Sequence, residues 1–184
     1  LKKAMPDDAL EIRELPELTD ASMVLGFTGW MDGGDVSTGT VEFLVDSLHA
    51  RRFARINPST FYIYNFPGSM EISSLFRPHT AIEDGVVLDY YEPLNHFHVA
   101  EDHNLILFEG KEPNLRWPHF ADCIFSVVEQ CGVRRIVFVG SVAGVVPHTR
   151  EPRLRGSVSS EEHRPLLDRF GLEPSNYEGP ASLV

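Results

Sequence analysis

Two rhythms of apolar residues run through this chain. Met23-Val24-Leu25-Gly26-Phe27 is an unbroken apolar run, the pattern of a strand buried on both faces. Beyond a glycine-rich stretch, Val41, Leu44, Val45 and Leu48 recur at i, i+3, i+4 and i+7, one apolar helix stripe. The same alternation returns between Asn104 and Gly140. Leu105-Ile106-Leu107-Phe108 reads as a strand. Pro118 suits the first turn of a helix whose face carries Phe120, Ile124, Val127, Val128 and Cys131, and Gly132 ends it. Ile136-Val137-Phe138-Val139 is a second strand. Two doubly apolar strands around an amphipathic helix make a parallel crossover with both faces covered.

Elsewhere the pattern is shorter. Residues 10–15 predict an edge strand, "FYIYNF" at 61–66 and "GVVLDYY" at 85–91 predict short strands between Pro and Gly turns, and 160–170 predicts a helix capped by Ser159 or Ser160. The expectation is an α/β fold in one domain over 1–184. Its central sheet is mostly parallel and flanked by helices, with strands at 23–28, 104–109 and 135–140 in the core. The chain opens on Leu1 and closes on Ser182-Leu183-Val184, which reads as the start of a strand and predicts a fragment truncated at its C-terminus.

Charge narrows the partners. The net charge is −11, and the first fifty residues carry most of it, with three Lys/Arg against ten Asp/Glu. A nucleic-acid binder needs a basic face, so that class is excluded. No apolar run reaches membrane-spanning length, and the N-terminus lacks the basic-then-apolar order of a signal peptide. Cys123 and Cys131 lie eight residues apart on one predicted helix, about 12 Å along its axis and too far for a disulfide. Reduced thiols place the chain in the cytoplasm.

Ligands of open α/β sheets bind beyond the carboxyl ends of the strands. The predicted strand ends deliver Trp30, Asp32, Gly33 and Asp35, then Glu109, then Ser141, His148, Thr149 and Arg150. These residues form a candidate ligand or partner crevice. Each also has a plain structural role: Asp32 or Asp35 can cap the following helix, and Gly33 and Gly34 can make a tight turn. The phosphate-loop, dinucleotide and nucleophile-elbow motifs are missing, so no cofactor is expected. His96, His98, Asp102 and His103 resemble metal ligands in type, but no further ligand follows at a metal-site spacing. They read as a loop of exposed histidines, and no metal is expected.

The stretch "GFTGWMDGGDVSTGTVEFL" from Gly26 resembles the opening signature of the PAC2 family, the proteasome-assembly-chaperone-like proteins. "ARINPSTFYIY" at 54–64, "VGSVAGVVPHTREPRLRGSVS" at 139–159 and "LEPSNYEGPASLV" at 172–184 are similar to later segments of that family, in its order. The resemblance implies a fold similar to nucleoside phosphorylases and related hydrolases. It also implies a role in assembling protein complexes, often as an oligomer. The family's hydrophobic, tyrosine-bearing docking tail is not found in these residues.

Two functional expectations follow. The first is a non-enzymatic, assembly-chaperone-like protein acting as a homo-oligomer, with itself and proteasome-related complexes as partners. Phe61, Tyr62, Tyr64, Phe66, Phe76, Tyr90, Tyr91 and Phe97 would lie in or near its interface, because aromatics on Pro- and Gly-broken loops imply a partner. The alternative is a phosphorylase- or hydrolase-type enzyme, with Asp32, Glu109 and His148 catalytic and Arg150 holding an anion. An enzyme should bury at least two of those four around a concave pocket.

Overall fold

The computed structural model describes residues 9–144 and 146–183. They fall into two compact units, residues 9–142 with 182–183, and the described residues of 143–181. The first holds a six-stranded sheet in the order β1-β3-β6-β7-β2-β8. Its strands are β1 (Leu10–Ile12), β2 (Ala21–Thr28), β3 (Arg51–Ile56), β6 (Asn95–Ala100), β7 (Leu105–Lys111) and β8 (Val133–Phe138). Helix α1 (Val36–Ser47) follows β2, and α3 (Trp117–Gln130) joins β7 to β8. Between β3 and β6 lie a short helix α2 (Met70–Ser74) and a separate hairpin of β4 (His79–Glu83) and β5 (Val86–Tyr91).

The core sits between the sheet and α3. Met23, Leu25 and Phe27 of β2, Ile106 and Phe108 of β7, and Phe97 and Val99 of β6 meet Phe120, Cys123, Ile124 and Val127 of α3. Their rings tilt against one another, Phe27 lying 5.3 Å from Phe108 and Phe108 4.6 Å from Phe97 between centroids. Such aromatic packing adds about 0.5–1.5 kcal/mol per pair beyond burial. Helix α1 lies against β2 and β7. Gly26 makes that contact possible: a Cβ there would come within 2.6 Å of the Ser37 carbonyl oxygen and 2.7 Å of Val41 Cγ2. On the sheet's edge, Arg55 donates two hydrogen bonds to Glu11 at 2.9 and 3.0 Å, clamping β1 to β3. The Arg55 hydrogen bond holds the Glu11 carboxyl below its ordinary range.

Several expectations need correction. The sheet is mixed rather than mostly parallel. β2 pairs in parallel with β7 and β8, but β6 is antiparallel to both β7 and β3, and β1 is antiparallel to β3. The cause is a tight connection: a single 3-10 turn, Glu101–His103, and Asn104 at φ 48° lead β6 straight back into β7. A link that short forces an antiparallel pair. The strand at 135–140 is not central either. β8 is the sheet's edge among the described residues, and Ile136 and Val137 are exposed. Its apolar run reports two apolar faces and says nothing of lateral neighbours. Residues 61–66 form no strand. The chain instead turns through Pro58–Thr60, with Asn57 Oδ1 accepting from Ser59 N, and Phe61 and Tyr62 are buried in the core.

In the second unit, α4 (Pro165–Arg169) is shorter than the helix expected at 160–170, because Glu161–His163 forms a separate 3-10 turn before Pro165. Two short strands, β9 (Arg155–Gly156) and β10 (Glu173–Pro174), pair in parallel there. Gly156 lets the chain pass close to Leu167 and Leu172, since a Cβ would lie 2.7 Å from Leu167 Cδ2.

Candidate functional site

The stretch after β2 is a strand-to-helix turn held by one carboxylate. Asp32 Oδ1 accepts from Ser37 N at 2.8 Å and Thr38 N at 3.1 Å, and Oδ2 accepts from Thr38 Oγ1 at 2.8 Å. The two N–H groups belong to the first turn of α1, where no intrahelical acceptor exists. Asp32 reaches them across the intervening 3-10 turn, Gly33–Asp35. Asp35, the other candidate cap, is exposed at φ 56° and makes no capping bond. Both oxygens of Asp32 are therefore engaged in structure.

Ser141 locks the same turn from β8's side. It forms an isolated parallel bridge with Asp32, its N–H donates to Met31 O at 2.8 Å, and its Oγ donates to Gly33 O at 2.7 Å. Gly33 N returns a bond to Ser141 O at 3.2 Å. Beneath this, the fully buried Ser37 accepts from Phe27 N at 3.0 Å and donates to Val139 O at 2.5 Å. Sequence reasoning passed over Ser37, although a serine at the start of an apolar helix stripe is a signal for such a tie. Trp30, by contrast, projects from the turn at 59% exposure.

Glu109 joins a different group. It lies on β7 directly opposite His96 of β6, and strand alternation puts His98 on the same face. Glu109 Oε1 is 3.7 Å from His96 Nδ1 and 3.9 Å from His98 Nε2. Arg52, paired with His98 across β3 and β6, brings Nη1 to 3.3 Å from His96 Nε2. The neighbouring His96 imidazole, and then His98 and Arg52, hold the Glu109 carboxyl below its ordinary value against the opposing effect of burial. Burial pushes the His98 imidazole below its ordinary value and outweighs the pull of Glu109. His96 and His98 are strand residues and His98 is buried, which corrects the reading of an exposed histidine loop. Asp102 and His103 stay exposed in the turn that follows.

The candidate residues thus divide. Trp30, Asp32, Gly33, Asp35 and Ser141 share the turn after β2. Glu109 is hydrogen-bonded or ion-paired to none of them among the described residues. His148 and Arg150 are exposed residues of the second unit. Two shallow concavities lie elsewhere. One of about 590 Å³, lined by residues 16–19 and 129–132, opens at the amino ends of β2 and β8, opposite the turn. The other is a cleft of about 20 Å³ between β1 and β3. The turn after β2 lines neither.

Among the described residues, no helix is long and apolar enough to cross a membrane. A family model described as the PAC2 family matches residues 26–184. A search of curated proteins finds no match. Among solved structures, the chain resembles a proteasome-assembly chaperone homologue of Mycobacterium tuberculosis, at 28% identity and a TM-score of 0.73 over 88% of this chain and 65% of the other. It resembles a PAC2 family protein of Streptomyces avermitilis at 26% identity and a TM-score of 0.69, over 89% of this chain and 66% of that one. Pyrococcus furiosus PbaA, an archaeal homologue of proteasome-assembly chaperone, shares the fold at 16% identity and a TM-score of 0.60, over 95% and 66%. The chain therefore spans about two thirds of the length of these relatives. The expected likeness to nucleoside phosphorylases gains no support from them. The match over residues 26–184 and the agreement in fold establish that the chain belongs to the PAC2 family.

Proposed function

We infer that this chain is a non-enzymatic, assembly-chaperone-like protein that works in the cytoplasm as a homo-oligomer, with proteasome-related complexes as further partners. The observation that carries this reading is the β4–β5 hairpin. Every residue of β5 is exposed, and Val86, Val87, Leu88, Tyr90 and Tyr91 are each more than half so. Ile82 on β4, Met70 of α2, Leu75 at its end, and Leu94 are exposed as well. A two-stranded hairpin with no covered face is marginal on its own. Covering each large side chain stabilises by about 1.5–3 kcal/mol, so a partner surface is its natural complement. A second copy is the first candidate, since closed homo-oligomers dominate soluble assemblies. Phe61, Tyr62 and Phe97 belong to the core instead, so the interface is drawn from 66–94 rather than from the whole aromatic segment.

The relatives' descriptions as proteasome-assembly chaperone homologues support the assembly role. So do the two engaged oxygens of Asp32. Light scattering tests the oligomer: the chain should be multimeric at micromolar concentration, and Leu88→Glu with Tyr90→Glu should shift it to monomer with an unchanged circular dichroism spectrum. A native chain that stays monomeric at high micromolar concentration refutes self-association. Nucleoside or ester turnover that vanishes on Glu109→Gln refutes the non-enzymatic role.

A further inference from the structure

We propose that His96, His98 and Glu109 form a binding site for one divalent transition-metal ion, Zn²⁺ foremost, on the sheet face shared by β6 and β7. Their donor atoms all lie within 4.8 Å of one another. The contacts of Glu109 with His96 and His98, 3.7 and 3.9 Å, are too long for hydrogen bonds. They are close to the separation of about 3.3 Å that two ligands hold when each sits about 2.0–2.1 Å from a tetrahedral Zn²⁺. Loading requires the side chains to rotate so that their separations, up to 4.8 Å, contract to that value. Two imidazoles and a carboxylate are also a donor set that suits zinc and leaves a position open for water or another ligand.

The fold supplies the convergence. Alternation along β6 sends residues 96 and 98 to one face, and the antiparallel register sets Glu109 across from His96. These are regular strand positions on neighbouring central strands, so the donors are held by hydrogen-bonded backbone rather than by a loop. The second observation is His98 itself. It is 8% exposed, neither ring nitrogen makes a hydrogen bond among the described residues, and Nδ1 is fully shielded. Nε2 is the ring atom on the Glu109 side, so it is the one open to a metal.

Arg52 is the opposing element. With its Nη1 donating to His96 Nε2, the ring proton sits on Nδ1, which blocks Nδ1 as a ligand. Arg52 is exposed and can turn away, so loading shifts the tautomer and displaces the guanidinium.

The test uses the purified chain stripped with a chelator, then titrated with ZnCl₂ by calorimetry and with CoCl₂ by visible absorption. One equivalent should bind, and cobalt should give the d–d bands of a low-coordinate site with nitrogen and oxygen ligands. His96→Gln and Glu109→Gln, both at half-buried positions, should each weaken Zn²⁺ binding by at least about 10-fold, since a lost ligand costs no less than a lost outer partner. Arg52→Ala should tighten it several-fold, and His163→Gln in the second unit should leave it unchanged. If Glu109→Gln fails to fold, His96→Gln decides alone. No binding at micromolar Zn²⁺, or binding that His96→Gln leaves intact, overturns the proposal.

Discussion

Asp32→Ala and Asp35→Gly should separate two aspartates that look interchangeable in sequence. Asp32 holds two helix N–H groups and one hydroxyl. Thr38 is half-buried and recovers water when Asp32 is cut back, so its loss is small. Ser37 is 0% exposed, and its N–H is left without any acceptor, a cost of about 1–3 kcal/mol. Removing a negative charge from the N-terminal end of α1 adds about 0.5 kcal/mol. The expected loss for Asp32→Ala is therefore about 2–3 kcal/mol. Asp32→Asn keeps an acceptor oxygen and should lose about 0.5–1 kcal/mol. Asp35 makes no cap bond and sits at φ 56°, where glycine is the easier residue, so Asp35→Gly should be neutral or slightly stabilising. Urea unfolding followed by far-UV circular dichroism measures all three. A loss below about 0.5 kcal/mol for Asp32→Ala, or an equal loss at both positions, would refute the assignment of the cap.

Three more outcomes can be checked. Gly26→Ala should cost about 3 kcal/mol or prevent folding, because its Cβ meets the α1 backbone, which no side-chain rotation relieves; a near-neutral thermal shift would show that α1 can move aside. Cys123 is fully buried and its thiol is pushed from 9.0 up to about 11, chiefly by desolvation. The raised value favours the neutral folded form, so its stabilising contribution is complete below pH 9 and is lost as pH rises towards 11, about 2–3 kcal/mol in all; a Cys123→Ala chain that loses stability over that window as steeply as the native one would contradict this. Tyr62→Phe should cost about 1–2 kcal/mol, since the hydroxyl lies 2.7 Å from Asn95 Oδ1 and 2.6 Å from Lys111 O; no change in the urea midpoint would show that those acceptors are satisfied without it.

Local patterns carried the parts of the fold that local physics decides. The apolar runs at 23–27 and 105–108 became neighbouring central strands, and the stripes at 41–48 and 120–131 became α1 and α3. What failed was lateral order. Ile136 and Val137 look as apolar as Ile106 and Leu107, yet one pair lies on an edge and the other is fully buried. A strand's neighbours are chosen by pairing over long sequence separations, which a window of residues does not encode. The mixed sheet has the same origin. Residues 95–100 carry polar histidines that disguise β6 in sequence, and with it the hairpin that makes β7's neighbour antiparallel.

The histidine cluster shows how far this matters for chemistry. In sequence, His96 and His98 stand two apart as possible ligands, and Asp102 and His103 are the next candidate donors along the chain. The third donor comes instead from the strand beside them, at the one position of β7 that the register sets opposite His96. In sequence, Glu109 stands at the end of a different strand and reads as a partner for Asp32. One cross-strand pairing moves it between those roles. With β6 in place, the acid belongs with two imidazoles and a guanidinium, while Asp32 spends both oxygens on a helix end. The same register therefore weakens the case for a catalytic crevice and creates the case for a metal site.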